Sequence, residues 1–253
     1  MIYSIEKASV MKRFFAFLLD AILLSILATG FSYLTAVVTK IDNHQAKLQE
    51  YYAYYERTYD VKFGLTQEEI NNLTEEELAH YKEVEDLLKS DQEFIDEYNM
   101  VKKLALLIGF VGTIIATMIV EFVIPLILKN GQTVGKKVFS LCLVKKNAVK
   151  VSHVQLFARA LIGKFAFEMM IPIYLVVSIL YGFGGYLGLI LTIALFITQI
   201  ILLFVTKYRT LLHDIIAFTV VVDKQSQMIF NSEDELLKYK EKEHKESTKK
   251  SVY

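Results

Sequence analysis

Apolar residues gather into four long runs, at residues 14–38, 104–128, 165–181 and 186–206, separated by stretches rich in charge. Crossing the hydrocarbon core of a bilayer takes about 20 largely apolar residues as a helix. All four runs meet that requirement, the third by the smallest margin. A core helix of a soluble domain shows one apolar stripe, whereas residues 21–27 and 187–196 are apolar or small on nearly every face. The pattern predicts an all-α membrane protein with four transmembrane helices. The first run exceeds the about 7–15 residues of a secretory signal core, and no A-x-A-like cleavage site follows it. It is therefore read as the first span.

The polar exceptions inside the runs are informative. Asp20, Glu121 and Glu168 interrupt the first three, and Gln199 holds a comparable place in the fourth. An ionisable side chain within a span costs at least ~2.5–3.5 kcal/mol on insertion scales, so it marks a functional site by default. Counted inward from Arg13, Lys129, Lys164 and Lys207, the four polar groups fall about 6–12 Å below one interface at 1.5 Å per residue. Four helices would thus supply one polar layer. Carboxylates in such a layer can share a proton or bind a cation. Pro125 and Pro172 each follow an acid by one turn and break the backbone ladder there.

Charge orients the spans. The chain has zero formal net charge, but residues 129–164 hold eight basic and no acidic side chains, and residues 40–103 hold sixteen acidic and eight basic ones. Lys and Arg accumulate in cytoplasmic loops. The bias, with Lys7, Lys12 and Arg13 before the first span, predicts both termini in the cytoplasm of a multi-pass cell-membrane protein. Segment 40–103 then lies outside, and residues 182–185 form a tight external hairpin.

The expected organisation is an N-terminus and first span over 1–38, a helical extracytoplasmic insertion over 39–103, a core of three spans with a cytoplasmic loop over 104–223, and a charged tail over 224–253. In the insertion, Thr66 with Glu69 and Thr74 with Glu77 fit the S/T-x-x-E capping box. The crowded tyrosines at 51–59 suit a helix contact or a membrane interface, and the flanking spans are expected to continue outward as helices. Asn72-Leu73-Thr74 matches a glycosylation sequon, and His44 and His80 read as surface residues. On the cytoplasmic side, residues 138–144, 149–151 and 219–222 are β-like and predict a small hairpin or sheet. Ser152 with Gln155 is a third capping box and starts a helix carrying Arg159. The tail beyond Asn231 reads as a frayed helix or a disordered segment.

Three motifs stand in order against the spans. Arg13 opens the first, with Asp20 seven residues on and so on the same helix face. Asn130-Gly131-Gln132-Thr133-Val134-Gly135-Lys136 follows the second. Arg209-Thr210-Leu211-Leu212-His213-Asp214 follows the fourth and leads into Thr219-Val220-Val221-Val222. This set resembles the RDD family of membrane proteins, with Arg13, Asp20 and Asp214 matching its signature residues, His213 preceding the second Asp, and Gly131, Thr133, Gly135 and Lys136 matching the middle motif. The insertion is longer than the family's usual first loop. The resemblance implies transport of ions or small ligands.

The leading expectation is a secondary transporter or ion exchanger for cations or small ligands, with cation/proton exchange of a monovalent cation as its proton-coupled form, working as a homo-oligomer because four spans are few; Gly109, Gly112 and the glycines at 182–188 offer close helix contacts. Its rival is a non-transporting scaffold whose insertion binds a partner. The bland alternative for the buried acids is pairing with Arg13, Arg159 or Lys164 to lock the bundle. Gly131–Lys137 is P-loop-like, but its G-x-x-x-G-K has one residue too few and no preceding strand; it reads as a turn with a lipid- or phosphate-facing basic patch. His213-Asp214 reads as an orienting pair at a helix end. No nucleophile arrangement suggests an enzyme, the lone Cys142 excludes a CxxC site, and no cofactor, metal or nucleic-acid partner is expected.

The orientation is checked by cysteine labelling in intact cells. Lys89→Cys should react from outside with an impermeant reagent and Lys146→Cys should not; the opposite pattern would reverse the topology.

Overall fold

The computed structural model of the chain describes residues 5–182 and 184–250. Among these, four helical stretches are long and apolar enough to cross a membrane: Val10–Thr39, Gln92–Ile127, His153–Ile179 and Tyr186–Val205. The first is α1 (Val10–Thr39). The second joins α5 (Gln92–Met118), a π-helical turn at Ile119–Val123 and α6 (Ile124–Ile127). The third joins α8 (His153–Ala158), a π-helical stretch at Arg159–Met169 and α9 (Met170–Leu180). The fourth is α10 (Gly185–Val205). The expected tight connection at 182–185 includes Phe183, which lies outside the described residues.

The chain divides into two compact units: Met1–Leu27 with Ile114–Tyr253, and Ala28–Thr113. In the second unit, α2 (Ile41–Tyr59), α3 (Gln67–Asn71) and α4 (Glu75–Ser90) precede the start of α5. Thr66 and Thr74 both close their capping boxes, each hydroxyl accepting the N–H three residues on and each glutamate accepting the cap N–H in return. Leu48, Leu88 and Phe94 form the unit's core with Tyr51, Tyr52 and Tyr55 packed on it, so the crowded tyrosines serve a helix–helix contact. The first span does not run on unbroken: Lys40 takes a left-handed conformation, φ 53°, between α1 and α2. Gly112 packs on α1, where an added Cβ would lie 2.7 Å from the Ala28 carbonyl oxygen.

In the first unit, β1 (Leu141–Lys145) pairs antiparallel with β2 (Thr219–Asp223), Leu143 opposite Val221. The strands are far apart in sequence, so this is a sheet and not a hairpin. Two sequence expectations are corrected. Val138 is not in the strand, because Thr133 caps a short helix, α7 (Val134–Val138), ahead of it. Residues 149–151 form only bridge pairs, Val144 with Lys150 and Val149 with Phe230. The tail is helical as α12 (Glu233–Lys250), anchored where Leu236 packs with Ala148, Val149 and Phe230. Gly188 sits against Leu175 of α9. Gly112 and Gly188 therefore make close helix contacts within the chain, whereas an added Cβ at Gly109 would meet nothing within 4 Å.

The π-helical segments have a covalent cause. Proline has no N–H, so the carbonyl four residues before it loses its usual donor. Those carbonyls belong to Glu121, before Pro125, and Glu168, before Pro172. Each acid lies inside a π-helical segment, where pairing shifts to i→i+5, as from the Ile124 N–H to the Ile119 carbonyl. Such widened turns recur at functional sites.

Cys142 is fully buried in β1, and burial pushes its thiol up to about 12. The thiolate is the reactive form, so maleimide should label the native protein far more slowly than the denatured one near neutral pH. Equal rates would show that the sheet opens freely.

Candidate functional site

The site is assembled from residues 10–27 of α1, both π-helical segments, α7, α10 and α11 (Leu212–Ile216), all of which lie in the first unit. Its first part explains the middle motif residue by residue. Gly131 takes φ +59° to turn the chain after α6. Thr133 accepts the Lys136 N–H as the cap of α7 and donates its hydroxyl to Asp20. The Gly135 N–H donates to the other Asp20 oxygen at 2.7 Å. Exposed N–H groups and the helix dipole at an N-terminus favour an anion, and here the chain's own Asp20 supplies it. Gly135 is required because an added Cβ would lie 2.1 Å from the Ala16 carbonyl oxygen. Lys136 then reaches both acids, its Nζ 3.9 Å from Asp20 and 3.8 Å from Glu121. The expectation of a lipid-facing basic patch fails for Lys136, which is buried beneath α1.

The second part centres on Arg159. Its Nη1 donates to Glu121 at 2.8 Å and its Nε to Asp214 at 3.2 Å. Lys164 completes Glu121 at 3.1 Å. Arg13 donates to Asp214 at 3.2 Å and to the Arg209 carbonyl, which is turned toward it by a left-handed conformation at Arg209, φ 54°. Arg13 and Asp20 share a helix face, but the structure gives them different partners. The third part is a chain of proton-bearing groups. Gln199 donates to Glu168 at 2.5 Å and accepts the Leu212 N–H. His213 Nδ1 lies 2.5 Å from Glu168, and its Nε2 lies 3.4 Å from Asp214. Gly163 lets α11 approach, since an added Cβ would lie 2.6 Å from that of His213.

The structure thus brings Arg13, Asp20, Glu121, Thr133, Lys136, Arg159, Glu168, Gln199, His213 and Asp214 into one continuous network. Lys164, expected only as a possible counter-ion, is a full member; its signal was a lysine placed one turn before a buried acid. The four acids Asp20, Glu121, Glu168 and Asp214 face four cations, Arg13, Lys136, Arg159 and Lys164, so the layer is neutral when His213 is neutral. Burial lowers His213 from its ordinary value, and neighbouring Arg159 adds to that. Burial also lowers Lys136, to about 8, against the pull of Glu121 and Asp20. Burial alone would raise Asp214, but His213, Arg159 and Arg13 hold its carboxyl well below the usual carboxylate range. No buried side-chain polar atom lacks a partner among the described residues, nor do three or more His, Cys, Asp or Glu gather there as a metal site.

Two cavities adjoin the layer. One, about 220 Å³, is lined by Arg13, Lys136, Arg159 and Val221. The other, about 600 Å³, lies among the spans and is lined by Thr117, Glu121, Glu168, Pro172 and Gln199. Asp20, Lys164 and His213 line both.

Four apolar spans, with a charge-balanced polar layer between their ends, define an integral membrane protein. The RDD family profile matches residues 7–218, and the chain belongs to that family. Comparison with curated proteins and with solved structures gives no match.

A double-mutant cycle read by thermal unfolding in detergent checks the partnerships. Breaking a buried ion pair from one side leaves an uncompensated charge, so Arg13→Gln and Asp214→Asn should couple by about 0.5–3 kcal/mol. Arg13→Gln with Asp20→Asn should couple less. The reverse order would mean that Arg13 turns to Asp20.

Proposed function

We propose that the chain is a secondary transporter of cations or small ligands, working as a cation/proton exchanger in the cell membrane rather than as an enzyme. Both termini lie in the cytoplasm in this reading, with residues 40–103 outside, as the charge bias of the loops favours. The observation that carries it is the pair of cavities meeting at one titratable layer.

Lys136 supplies the exchange. Near neutral pH it carries its proton and the layer is balanced. Its value near 8 is low for an ammonium, so a modest rise in pH releases the proton. The layer is then left with four carboxylates against three cations, and Asp20 and Glu121 face a neutral amine in place of the ammonium. A monovalent cation entering from a cavity restores neutrality. One proton leaves Lys136 Nζ as one cation binds, and the reverse step resets the site. His213 offers a second proton position. It stands between two carboxylates with a single N–H when neutral, so a proton taken up there is shared with Glu168.

The sign of the pH dependence follows. Cation binding should strengthen as pH rises toward 8 and weaken by up to about tenfold per pH unit below it, as for one proton competing with one cation. Flux of several monovalent cations into proteoliposomes under an imposed pH gradient measures this. Lys136→Arg, whose guanidinium keeps its proton, should abolish exchange while the protein stays folded, and Asp20→Asn or Glu121→Gln should flatten the pH dependence. Folded protein that moves no cation at any pH, or Lys136→Arg exchanging like the wild type, sinks the reading. The first of those results, together with a partner bound through residues 40–103, would favour the scaffold, a reading that the separate core of the second unit supports.

A further inference from the structure

The second unit contains a cavity of its own, about 570 Å³, among α2, α4 and the start of α5. That is within the about 300–1,000 Å³ of small-molecule sites. Five rings line it in a continuous series: Tyr81, Phe63, Tyr52, Phe94 and Tyr98, with successive centroids 6.0, 5.5, 5.4 and 5.9 Å apart. Ring packing fixes these side chains before any ligand arrives. The charged groups on the wall are Glu56, Glu85 and Lys89. Glu56 accepts the Phe63 N–H at 2.8 Å, which ties the carboxylate to the ring series. Lys89 sits on Glu85 at 2.8 Å as an i,i+4 pair with its side chain 60% exposed.

Each class of ligand meets this wall differently. Anions face two carboxylates against one ammonium, inside a segment with sixteen acidic and eight basic residues. Inorganic cations seek several oxygen ligands at close range, and the rings offer few. A neutral apolar molecule would strip water from the carboxylates and return nothing. A cation with an apolar body fits all parts of the wall, since ring faces attract it and water loss strengthens that attraction. The Lys89 ammonium already held on Glu85 shows where such a charge is stabilised. An exposed pair of that kind is weak, so a ligand can displace it.

We propose that this cavity binds a small organic cation, an ammonium carrying an alkyl or aryl group, with Tyr81, Phe63, Tyr52 and Phe94 as its cage and Glu56 and Glu85 as its counter-charges; Tyr98, stacked on Phe94 with the Lys102 ammonium 4.5 Å from its ring centroid, closes the far end. The proposal is independent of transport through the charge layer.

Calorimetric titration of the full chain in detergent tests it, with phenyltrimethylammonium as the probe and benzenesulfonate as its anionic match. Phenyltrimethylammonium should bind saturably at one site per chain, and benzenesulfonate should not. Tyr81→Leu keeps apolar volume but removes a ring face, and should weaken binding by about 2- to 30-fold, the range of a single cation–aromatic contact. Lys89→Ala removes the internal competitor at an exposed position and should tighten binding several-fold, a direction that a merely structural lysine would not give. Far-ultraviolet circular dichroism confirms that each variant is folded; should Tyr81→Leu unfold, the sign of the Lys89→Ala effect decides. Absence of saturable binding, equal binding of both probes, or weaker binding by Lys89→Ala overturns the proposal.

Discussion

Arg159 is 1% exposed, and two of its nitrogens are committed to acids on different elements, Glu121 in the second span and Asp214 in α11. A guanidinium cannot shed its proton to escape burial. Removing one partner of a buried pair typically costs about 3–5 kcal/mol. Every neighbouring placement answers to this constraint. Glu121 must stay within reach, and it does so from the π-helical turn ahead of Pro125. Asp214 must face inward, so α11 packs on Gly163. Arg13 then finds Asp214 already in position and ties α1 to the same centre.

Asp20 solves a different problem at the same layer. An apolar span tolerates its charge because α7 presents a hydroxyl and an N–H to the two carboxylate oxygens. The motif Gly131-Gln132-Thr133-Val134-Gly135-Lys136 is thus a receptor for a residue of its own chain. Lys136 joins the two halves, touching Asp20 on one side and Glu121 on the other. The charge state of this one lysine therefore bears on both halves of the network.

The parts legible in the sequence are those fixed by local chemistry. Capping boxes at Thr66, Thr74 and Ser152 involve residues three apart and formed as read. The spans follow from composition, and the polar layer from counting turns inward from flanking lysines and arginines. Long-range partnership is where reading from spacing failed. Seven residues place Arg13 and Asp20 on one face, but the face alone does not reveal that Asp214 and α7 compete for them. The strand at 141–145 was read three residues too early because the Thr133 cap claims Val138 for a helix. The π-helical segments left a usable trace: each buried glutamate of the second and third spans has a proline four residues later.

The eleven-residue π-helical stretch from Arg159 to Met169 sets the rotation of the span beyond it. A widened turn accommodates an extra residue relative to ordinary helical pairing. Loss of one residue there would shorten the span by only about 1.5 Å. It would also turn everything beyond the deletion by about 100°, sending Glu168 away from His213 and Gln199. The length of this irregular stretch is thus what holds Glu168 against His213 and Gln199.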